Sequence, residues 1–195
     1  MKALERDLAR ALVSGPMIDD ICFAGAGEPT MHPRFREAVL LARALRNELA
    51  PRATVTVLSN GTTAAKPEIR AALALADRAV LKLDAVRDDV LHQLDRPPSG
   101  LSARRLVKML AEMVGLETQT MLVRGAVDNA TPEALDALGD ALRFIFPRRA
   151  YLGTITRQPA GDVGEHRLTP LEPAELQTAA ARVRRRAPGV DVRVY

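Results

Sequence analysis

Residues 21–33 read ICFAGAGEPTMHP, an apolar run that passes into two glycines, a carboxylate and a proline. The apolar residues predict a buried strand, and Gly25 and Gly27 predict a turn in which the backbone approaches a ligand without a Cβ in the way. Glu28, followed by Pro29, is suited to accept hydrogen bonds from a ligand ammonium group. The spacing matches neither phosphate-binding glycine motif, and a carboxylate repels phosphate. The segment therefore predicts a site for an amino group.

The composition indicates a globular protein, with 47% hydrophobic and 27% charged residues in 195. That length predicts a single domain over 1–195. Aromatic residues make up only 3%, which argues against a stacking surface for single-stranded nucleic acid. One cysteine excludes an internal disulfide and fits a reducing compartment. No signal peptide and no apolar run of about 20 residues is found, so we expect a cytoplasmic protein without a membrane partner.

Predicted strands and helices alternate along the chain, which indicates right-handed βαβ units around a parallel sheet. Five main strands are too few for a closed barrel of about 250 residues. An open or partial (β/α) barrel fits the α/β pattern, and a doubly wound sheet is the alternative that periodicity does not exclude. The predicted strands cover residues 18–24, 54–58, 79–83, 118–123 and 150–155, with a short terminal strand at 190–194.

Polar or charged residues follow every main strand of this prediction. Because the carboxyl ends of parallel strands share one edge of a sheet, we expect a ligand there. Ordinary turn chemistry accounts for Gly61 and Gly125, but it accounts less well for Lys82 and Asp84 at the end of an apolar strand. The candidate residues after the first strand are Gly25, Gly27, Glu28 and Pro29, and those after the later strands are Ser59, Asn60, Lys82, Asp84, Arg124 and Arg157.

Other residues have two interpretations each. Cys22 is predicted to be core filler, and His32 either caps the helix expected from Pro33 or lines the site. The histidines lack metal-ligand spacing, so no metal site is predicted in this chain. Residues 157–173 form a long connection that is either a lid or a passive excursion, before a last helix and a short strand. Four arginines near the chain end are either a solvated helix terminus or a binding patch: Arg182, Arg184, Arg185 and Arg186.

Five motifs in register resemble the radical SAM superfamily, in a branch of small Fe–S oxidoreductases related to wyosine-type tRNA-modifying enzymes. The first is GAGEPTMHP within the opening segment. The others are VLSNGTT at 57–63, LKLDA at 81–85 followed by LDRP at 94–97, QTMLVRGAVDN at 119–129, and TITRQPAG at 154–161. Their order is collinear with the family and covers almost the whole chain.

This resemblance implies a partial parallel barrel that binds S-adenosylmethionine (SAM). It implies that Gly25, Gly27 and Glu28, with Pro29 beside them, hold the methionine amino group. By the same carry-over, Ser59, Asn60, Lys82 and Asp84 lie near the ribose and carboxylate, and Arg124 and Arg157 face cofactor or substrate. A [4Fe–4S] cluster, a reductant protein and an RNA or tRNA substrate are further partners that the family implies.

The chain departs from the family pattern in its cysteines. The family's CxxxCxxC loop is absent, and the one thiol present does not hold a cluster. We expect a SAM-binding core that lacks its first strand and does not cleave SAM alone. A fragment or misassigned start, a partner chain that supplies the cluster, and a degenerate binding module are the explanations left open. The competing function is a non-catalytic α/β module that binds nucleotide or RNA.

Overall fold

The computed structural model describes residues 1–14, 16–25, 27–97, 100–157 and 167–195. The chain divides into two compact units, Met1–Val80 and Leu81–Tyr195, and each is described by itself. The prediction of one domain over 1–195 stays a prediction. No helix among the described residues combines the length and the apolar character that a membrane span requires.

The first unit alternates helices and strands, as the periodicity predicts. Its elements are α1 (Lys2–Ser14), β1 (Asp20–Phe23), a 3-10 turn (Pro29–Met31), α2 (Phe35–Leu49), β2 (Thr54–Ser59) and α3 (Pro67–Leu73). Strands β1 and β2 are parallel, with Ile21 opposite Val55. The core forms where Val55 and Val57 of β2 are buried with Phe35, Val39 and Ala42 of α2. The face of α2 that carries these three residues therefore packs inward.

Cys22 is exposed, so its prediction as core filler is wrong. The reason is the alternation of side chains along β1. Phe23 packs edge-on against Phe35 of α2, with ring centroids 6.4 Å apart, so Cys22 projects from the opposite face of the strand. Among the described strands of this unit β1 pairs only with β2, so its other edge has no strand partner there.

The second unit continues the pattern with more strands. After β3 (Arg78–Lys82), which spans the division between the units, come α4 (Asp88–Leu94), α5 (Ala103–Ala111), β4 (Glu117–Gly125), α6 (Pro132–Ile145), β5 (Arg149–Thr154), β6 (Leu168–Pro170), α7 (Pro173–Arg186) and β7 (Val192–Val194). Strand β5 is parallel to both β4 and β7, whereas β6 runs antiparallel to the end of β4. Helices α6 and α7 pack closely through Gly139, whose missing Cβ leaves room for Arg186.

Two elements of the second unit were not predicted from the sequence. Helix α4 fills the connection after β3, and β6 follows residues 158–166. The predicted lid at 157–173 includes residues 158–166, which lie outside the described residues. The other strands begin and end within about two residues of the predicted positions. A difference of this size is usual at element boundaries.

Candidate functional site

Glu28 connects the loops that follow the two strands of the first unit. Its Oε1 accepts hydrogen bonds from the Ser59 hydroxyl at 2.8 Å and from the backbone N–H of Thr30 at 3.1 Å. Its Oε2 accepts the backbone N–H of Asn60 at 2.7 Å. The Thr30 hydroxyl, itself in contact with the Thr63 hydroxyl, adds a further donor to Oε1. The carboxylate is therefore fixed from several directions.

The hydrogen bonds are unevenly shared between the two oxygens of Glu28. Three donors reach Oε1, while the Asn60 N–H reaches Oε2. A carboxylate oxygen accepts about two hydrogen bonds. Oε2 is thus the atom of this carboxylate with capacity for a ligand donor.

The glycines before Glu28 leave open space beside the backbone. Among the described residues, no atom beyond the chain neighbours lies within 4 Å of where a Cβ of Gly25 or Gly27 would be. Gly25 also has φ +150°, a conformation that side-chain-bearing residues rarely adopt. Pro29 begins the 3-10 turn that Glu28 caps. The predicted turn is thus present, and its backbone is accessible.

His32 has a local role in the structure. Its Nδ1 accepts the backbone N–H of Arg34 at 3.1 Å, just before α2 begins at Phe35. Of the two interpretations that the sequence left open, this contact favours the one in which His32 supports the start of the helix. The helix begins two residues later than expected from Pro33, after the 3-10 turn.

In the second unit, Lys82 and Asp84 are joined at the end of β3. Lys82 Nζ lies 3.0 Å from Asp84 Oδ2 and 2.6 Å from Asp95 Oδ1. The Asp84 side chain is only 2% exposed, whereas that of Lys82 is 39% exposed. The Asp84 carboxylate is therefore buried, and the Lys82 side chain that it contacts is partly exposed to solvent.

Burial and charge act in opposite directions on this pair. Burial raises the pKa of Asp84 to about 7, because it outweighs the attraction of Lys82. Burial alone lowers the pKa of Lys82, but the carboxylates of Asp84 and Asp95 together raise it above its usual value. Lys82 is therefore a permanent cation, and Asp84 is the group that titrates near neutrality.

A buried amide anchors the same strand end to β4. Asn129 Nδ2 donates to the carbonyl oxygens of Asp84 and Met121, each at 2.8 Å. Its Oδ1 accepts the N–H of Val123 at 2.7 Å. Asp84 Oδ1 accepts the N–H of Met121 at 2.8 Å. With these polar groups satisfied, the position of the Asp84 carboxylate is fixed by the backbone of β4.

The predicted arginines have different environments. Arg124, near the end of β4, forms an ion pair with Glu175 in the first turn of α7. Arg157 follows β5 and is exposed. Neither position is shown to contact a cofactor or substrate, so both stay predictions.

The arginine cluster near the chain end is largely engaged in holding α7. Arg182 makes two contacts of 2.7 Å with Asp136 of α6, and Arg186 pairs with Asp140. Arg184 donates to the carbonyl of Val192 at 2.8 Å. These contacts favour the structural interpretation of the cluster over a free binding patch.

The residues do not fit a resident iron–sulfur cluster. Such a cluster needs several thiolates, and the sequence contains one cysteine, which lies exposed on β1. Across the described residues there is also no group of three His, Cys, Asp or Glu side chains placed to hold a metal ion.

Sequence reasoning missed three polar residues that organise these strand ends. Thr30 lies within the GEPT motif and Asp95 within LDRP, but neither was assigned a role. Asn129 closes the fourth motif, QTMLVRGAVDN. The motifs themselves were the available signal, because each of the three residues lies inside one of them.

Comparison with known sequences gives two partial matches. No protein-family model matches the chain. It is 27% identical over 161 residues to a protein named GTPase Obg from Brachyspira hyodysenteriae, covering 80% of this chain and 23% of that protein. It is 30% identical over 112 residues to UPF0026 protein slr1464 from Synechocystis sp., covering 55% of this chain and 40% of that protein. The chain therefore spans less than half the length of these curated relatives.

Comparison with solved structures gives matches that cover 89–100% of the chain. SuiB from Streptococcus suis aligns with TM-score 0.72 and 16% identity, covering 100% of this chain and 42% of SuiB. SuiB bound to SAM aligns with TM-score 0.69 and 15% identity, over 100% and 41% of the two chains. A radical SAM methyltransferase from Sphaerobacter thermophilus gives 0.64 and 20%, over 93% and 52%. Archaeal TYW1 gives 0.57 and 16%, over 89% and 51%.

These structural matches confirm the predicted fold class. The chain has a parallel α/β fold of the partial (β/α)-barrel type seen in radical SAM enzymes. At 15–20% identity the likeness shows the fold, so activity and ligand are matters for proposal.

Proposed function

We propose that this chain is a SAM-binding core of the radical SAM type, in which Glu28 receives the ammonium group of the methionine moiety. The observation that carries the proposal is the carboxylate of Glu28, which is fixed by Ser59 and Asn60 and retains capacity on Oε2. Gly25 and Gly27 leave open space beside it. A similarly folded protein, SuiB, has been solved with SAM bound.

The charges of the first-unit site favour an amino group over a phosphate. Glu28 places a carboxyl group between the loops that follow β1 and β2, and its neighbours Ser59 and Thr30 contribute neutral hydroxyls. An ammonium donor adds a charge-assisted hydrogen bond to the carboxylate, whereas a phosphate is repelled by it. This is also why the partial likeness to a protein named as a GTPase does not lead us to propose GTP as the ligand.

The proposed role of these 195 residues is SAM binding, and SAM cleavage is not assigned to them. Reductive cleavage of SAM requires an electron from an iron–sulfur cluster, and the residues present do not fit one. We propose cleavage only for an assembly in which residues outside this sequence supply the thiolates. Lys82, Asp84, Arg124 and Arg157 remain proposed contacts to cofactor or substrate, and cytoplasmic localisation remains a proposal.

Calorimetric titration with SAM tests the proposal. Wild-type protein is expected to bind SAM saturably with one-to-one stoichiometry, and Glu28→Ala is expected to weaken binding at least about tenfold, or about 1.4 kcal/mol. Glu37→Ala is the matched control, because Glu37 is an exposed carboxylate paired with Arg34. Equal affinities of wild type and Glu28→Ala overturn the role of Glu28.

An RNA-binding module is the second function considered, and the structure weakens its main support. Arg182, Arg184 and Arg186 are held by Asp136, Asp140 and the carbonyl of Val192. We therefore do not propose an RNA surface at this cluster.

A further inference from the structure

Thr63 reaches the carboxylate of Glu28 through one intervening hydroxyl. Its Oγ1 contacts the Oγ1 of Thr30, and the Thr30 hydroxyl donates to Oε1 of Glu28. Thr63 ends the VLSNGTT motif at 57–63, in which the resemblance implies ligand contacts only for Ser59 and Asn60. Thr63 is therefore joined to the first-unit site without an assigned role.

The direction of the two hydroxyl contacts follows from the number of protons. A threonine hydroxyl has one O–H donor and two acceptor lone pairs, and a carboxylate oxygen only accepts. Because the single proton of the Thr30 hydroxyl is donated to Glu28, the proton between the two threonines comes from Thr63. The hydrogen bonds therefore run in one direction, from Thr63 to Thr30 to Oε1 of Glu28.

The middle member of this chain of hydroxyls is buried. Thr30 is 3% exposed, and its backbone N–H also donates to Oε1 of Glu28, at 3.1 Å. Hydrogen bonds that form a chain polarise one another, and each is stronger inside a protein than in water. The bond from Thr63 therefore strengthens the bond that Thr30 makes to Glu28.

The loop after β2 fixes the backbone of Thr63. Gly61 has φ +73°, and its carbonyl accepts the N–H of Ala64 at 3.0 Å. The carbonyl of Thr63 accepts the N–H of Lys66, also at 3.0 Å. Ala64, between these two turns, is fully buried. The hydroxyl of Thr63 is therefore carried by a backbone that is held on both sides.

The chain of hydroxyls acts on the oxygen of Glu28 that the proposed ligand does not use. It ends on Oε1, which also accepts the Ser59 hydroxyl, whereas Oε2 accepts the N–H of Asn60 and has capacity left. Turning the carboxylate breaks the hydrogen bonds at Oε1. Support at Oε1 therefore keeps Oε2 in a fixed orientation.

We propose that Thr63 is a positioning residue, which donates through Thr30 and so keeps Oε2 of Glu28 in the orientation that receives a ligand ammonium group. The proposal rests on the proposed function, because SAM brings the ammonium group. It adds a residue that does not touch the ligand. It also makes recognition of the amino group depend on the hydroxyl of Thr63.

Calorimetric titration with SAM and with its analogue that lacks the α-amino group tests the proposal. The measured quantity is the ratio of the two dissociation constants, here called the amino selectivity. Both ligands are titrated into the same preparation, so a misfolded fraction lowers both stoichiometries equally and leaves the ratio unchanged. Wild type is expected to bind SAM at least about tenfold more tightly than the analogue.

Thr63→Val removes the hydroxyl and keeps the branched shape of the side chain. Its amino selectivity is expected to be at least about threefold below that of wild type, because one hydrogen bond no longer supports Glu28. Affinity for the analogue is expected to stay at the wild-type value. Thr63→Ser keeps the hydroxyl and is expected to keep the wild-type selectivity.

Thr54→Val is the matched control at the opposite end of β2. The Thr54 hydroxyl also donates to a carboxylate, that of Asp20, at 2.7 Å. The same substitution there removes a comparable hydrogen bond without touching Glu28. Its amino selectivity is expected to equal that of wild type.

The route through Thr30 is tested by a double variant. If Thr63 acts through Thr30, adding Thr63→Val to Thr30→Val is expected to cause no further loss of amino selectivity. A further loss in the double variant overturns the proposed route.

The remaining outcomes separate the inference from the function on which it rests. Wild-type selectivity in Thr63→Val overturns the inference while leaving SAM binding intact, and so does a loss in Thr63→Ser as large as that in Thr63→Val. If wild type fails to bind SAM, or binds the analogue equally well, the proposed function is overturned, and the inference with it.

Discussion

The backbone N–H of Asn60 donates to Oε2 of Glu28 at 2.7 Å, so one side chain after β1 holds the loop after β2. The Ser59 hydroxyl reaches the other oxygen of the same carboxylate at 2.8 Å. Glu28 also caps the 3-10 turn through the N–H of Thr30. The two strand ends of the first unit are therefore organised by the residue that we propose as the ligand contact.

Replacing Glu28 with Gln is expected to destabilise the protein. Glutamine keeps the shape, but its NH₂ group then faces an N–H or O–H donor that the carboxylate accepted. Loss of such part-buried hydrogen bonds costs about 1–3 kcal/mol in the free energy of unfolding. Urea denaturation followed by circular dichroism measures the change. Glu37→Gln is the control, with no measurable change expected, and equal midpoints for Glu28→Gln and wild type contradict the account.

The buried carboxyl group of Asp84 is expected to make the free energy of unfolding depend on pH. Its pKa is raised by burial to about 7, against 3.8 for an ordinary carboxyl, so the folded protein binds more protons between these values. The contribution of Asp84 to stability is complete below pH 3.8 and is lost as the pH rises through about 7. Urea unfolding across this range is expected to show stability falling with pH in wild type more than in Asp84→Asn.

The control for this pH dependence is Asp89→Asn. The hydrogen bond from Arg87 lowers the pKa of Asp89, which is fully exposed, so its replacement leaves the fall between pH 3.8 and about 7 in place. If the free energy of unfolding falls equally with pH in wild type and in Asp84→Asn, the proposed titration of Asp84 is contradicted.

Replacing Gly139 of α6 with alanine is expected to lower the stability of the protein, which is the opposite of the usual effect in a helix. Alanine normally stabilises a helix relative to glycine by about 1 kcal/mol. Here a Cβ lies 2.4 Å from the Cβ of Arg186 and 3.2 Å from the carbonyl of Val183, so α6 and α7 must move apart. Gly139→Ala is expected to lower the free energy of unfolding by about 1–3 kcal/mol, as overpacking does. The double variant with Arg186→Gly is expected to recover part of the loss, and a more stable Gly139→Ala contradicts the packing.

We expect the Cys22 thiol to react with a labelling reagent in the folded protein, but slowly. The thiol is exposed, but partial burial, followed by the charge of Asp20, raises its pKa, so little thiolate forms near pH 7. Maleimide labelling of the folded protein is expected to go to completion at one site and to be faster in Asp20→Asn. Asp19→Asn serves as the comparison at a neighbouring carboxylate. A thiol that reacts only after unfolding contradicts its exposed position.

The strands and the buried face of α2 could be predicted because apolar residues recur in the sequence with the period of each element. Phe35, Val39 and Ala42 recur at helical spacing and are buried. The positions of Gly25, Glu28 and Asn60 after their strands follow from the same periodicity. In these cases the local pattern and the packing agree.

Other features depend on contacts between distant residues and could not be predicted in this way. Cys22 lies in an apolar strand, but whether its side chain is exposed depends on which face of that strand packs against α2. Asp95 meets Lys82 only because α4 and the turn at Arg96 bring it back across 13 residues. Strand β6 has three residues, and its pairing with Val123, Arg124 and Gly125 of β4 defines it.

The most direct measurement compares SAM with an analogue that lacks the α-amino group, by calorimetric titration of the wild-type protein. We expect saturable one-to-one binding of SAM and at least about tenfold weaker binding of the analogue, because the analogue offers Glu28 no ammonium group. Equal affinity for both ligands, or no binding of SAM, would contradict the claim that this chain recognises SAM through Glu28.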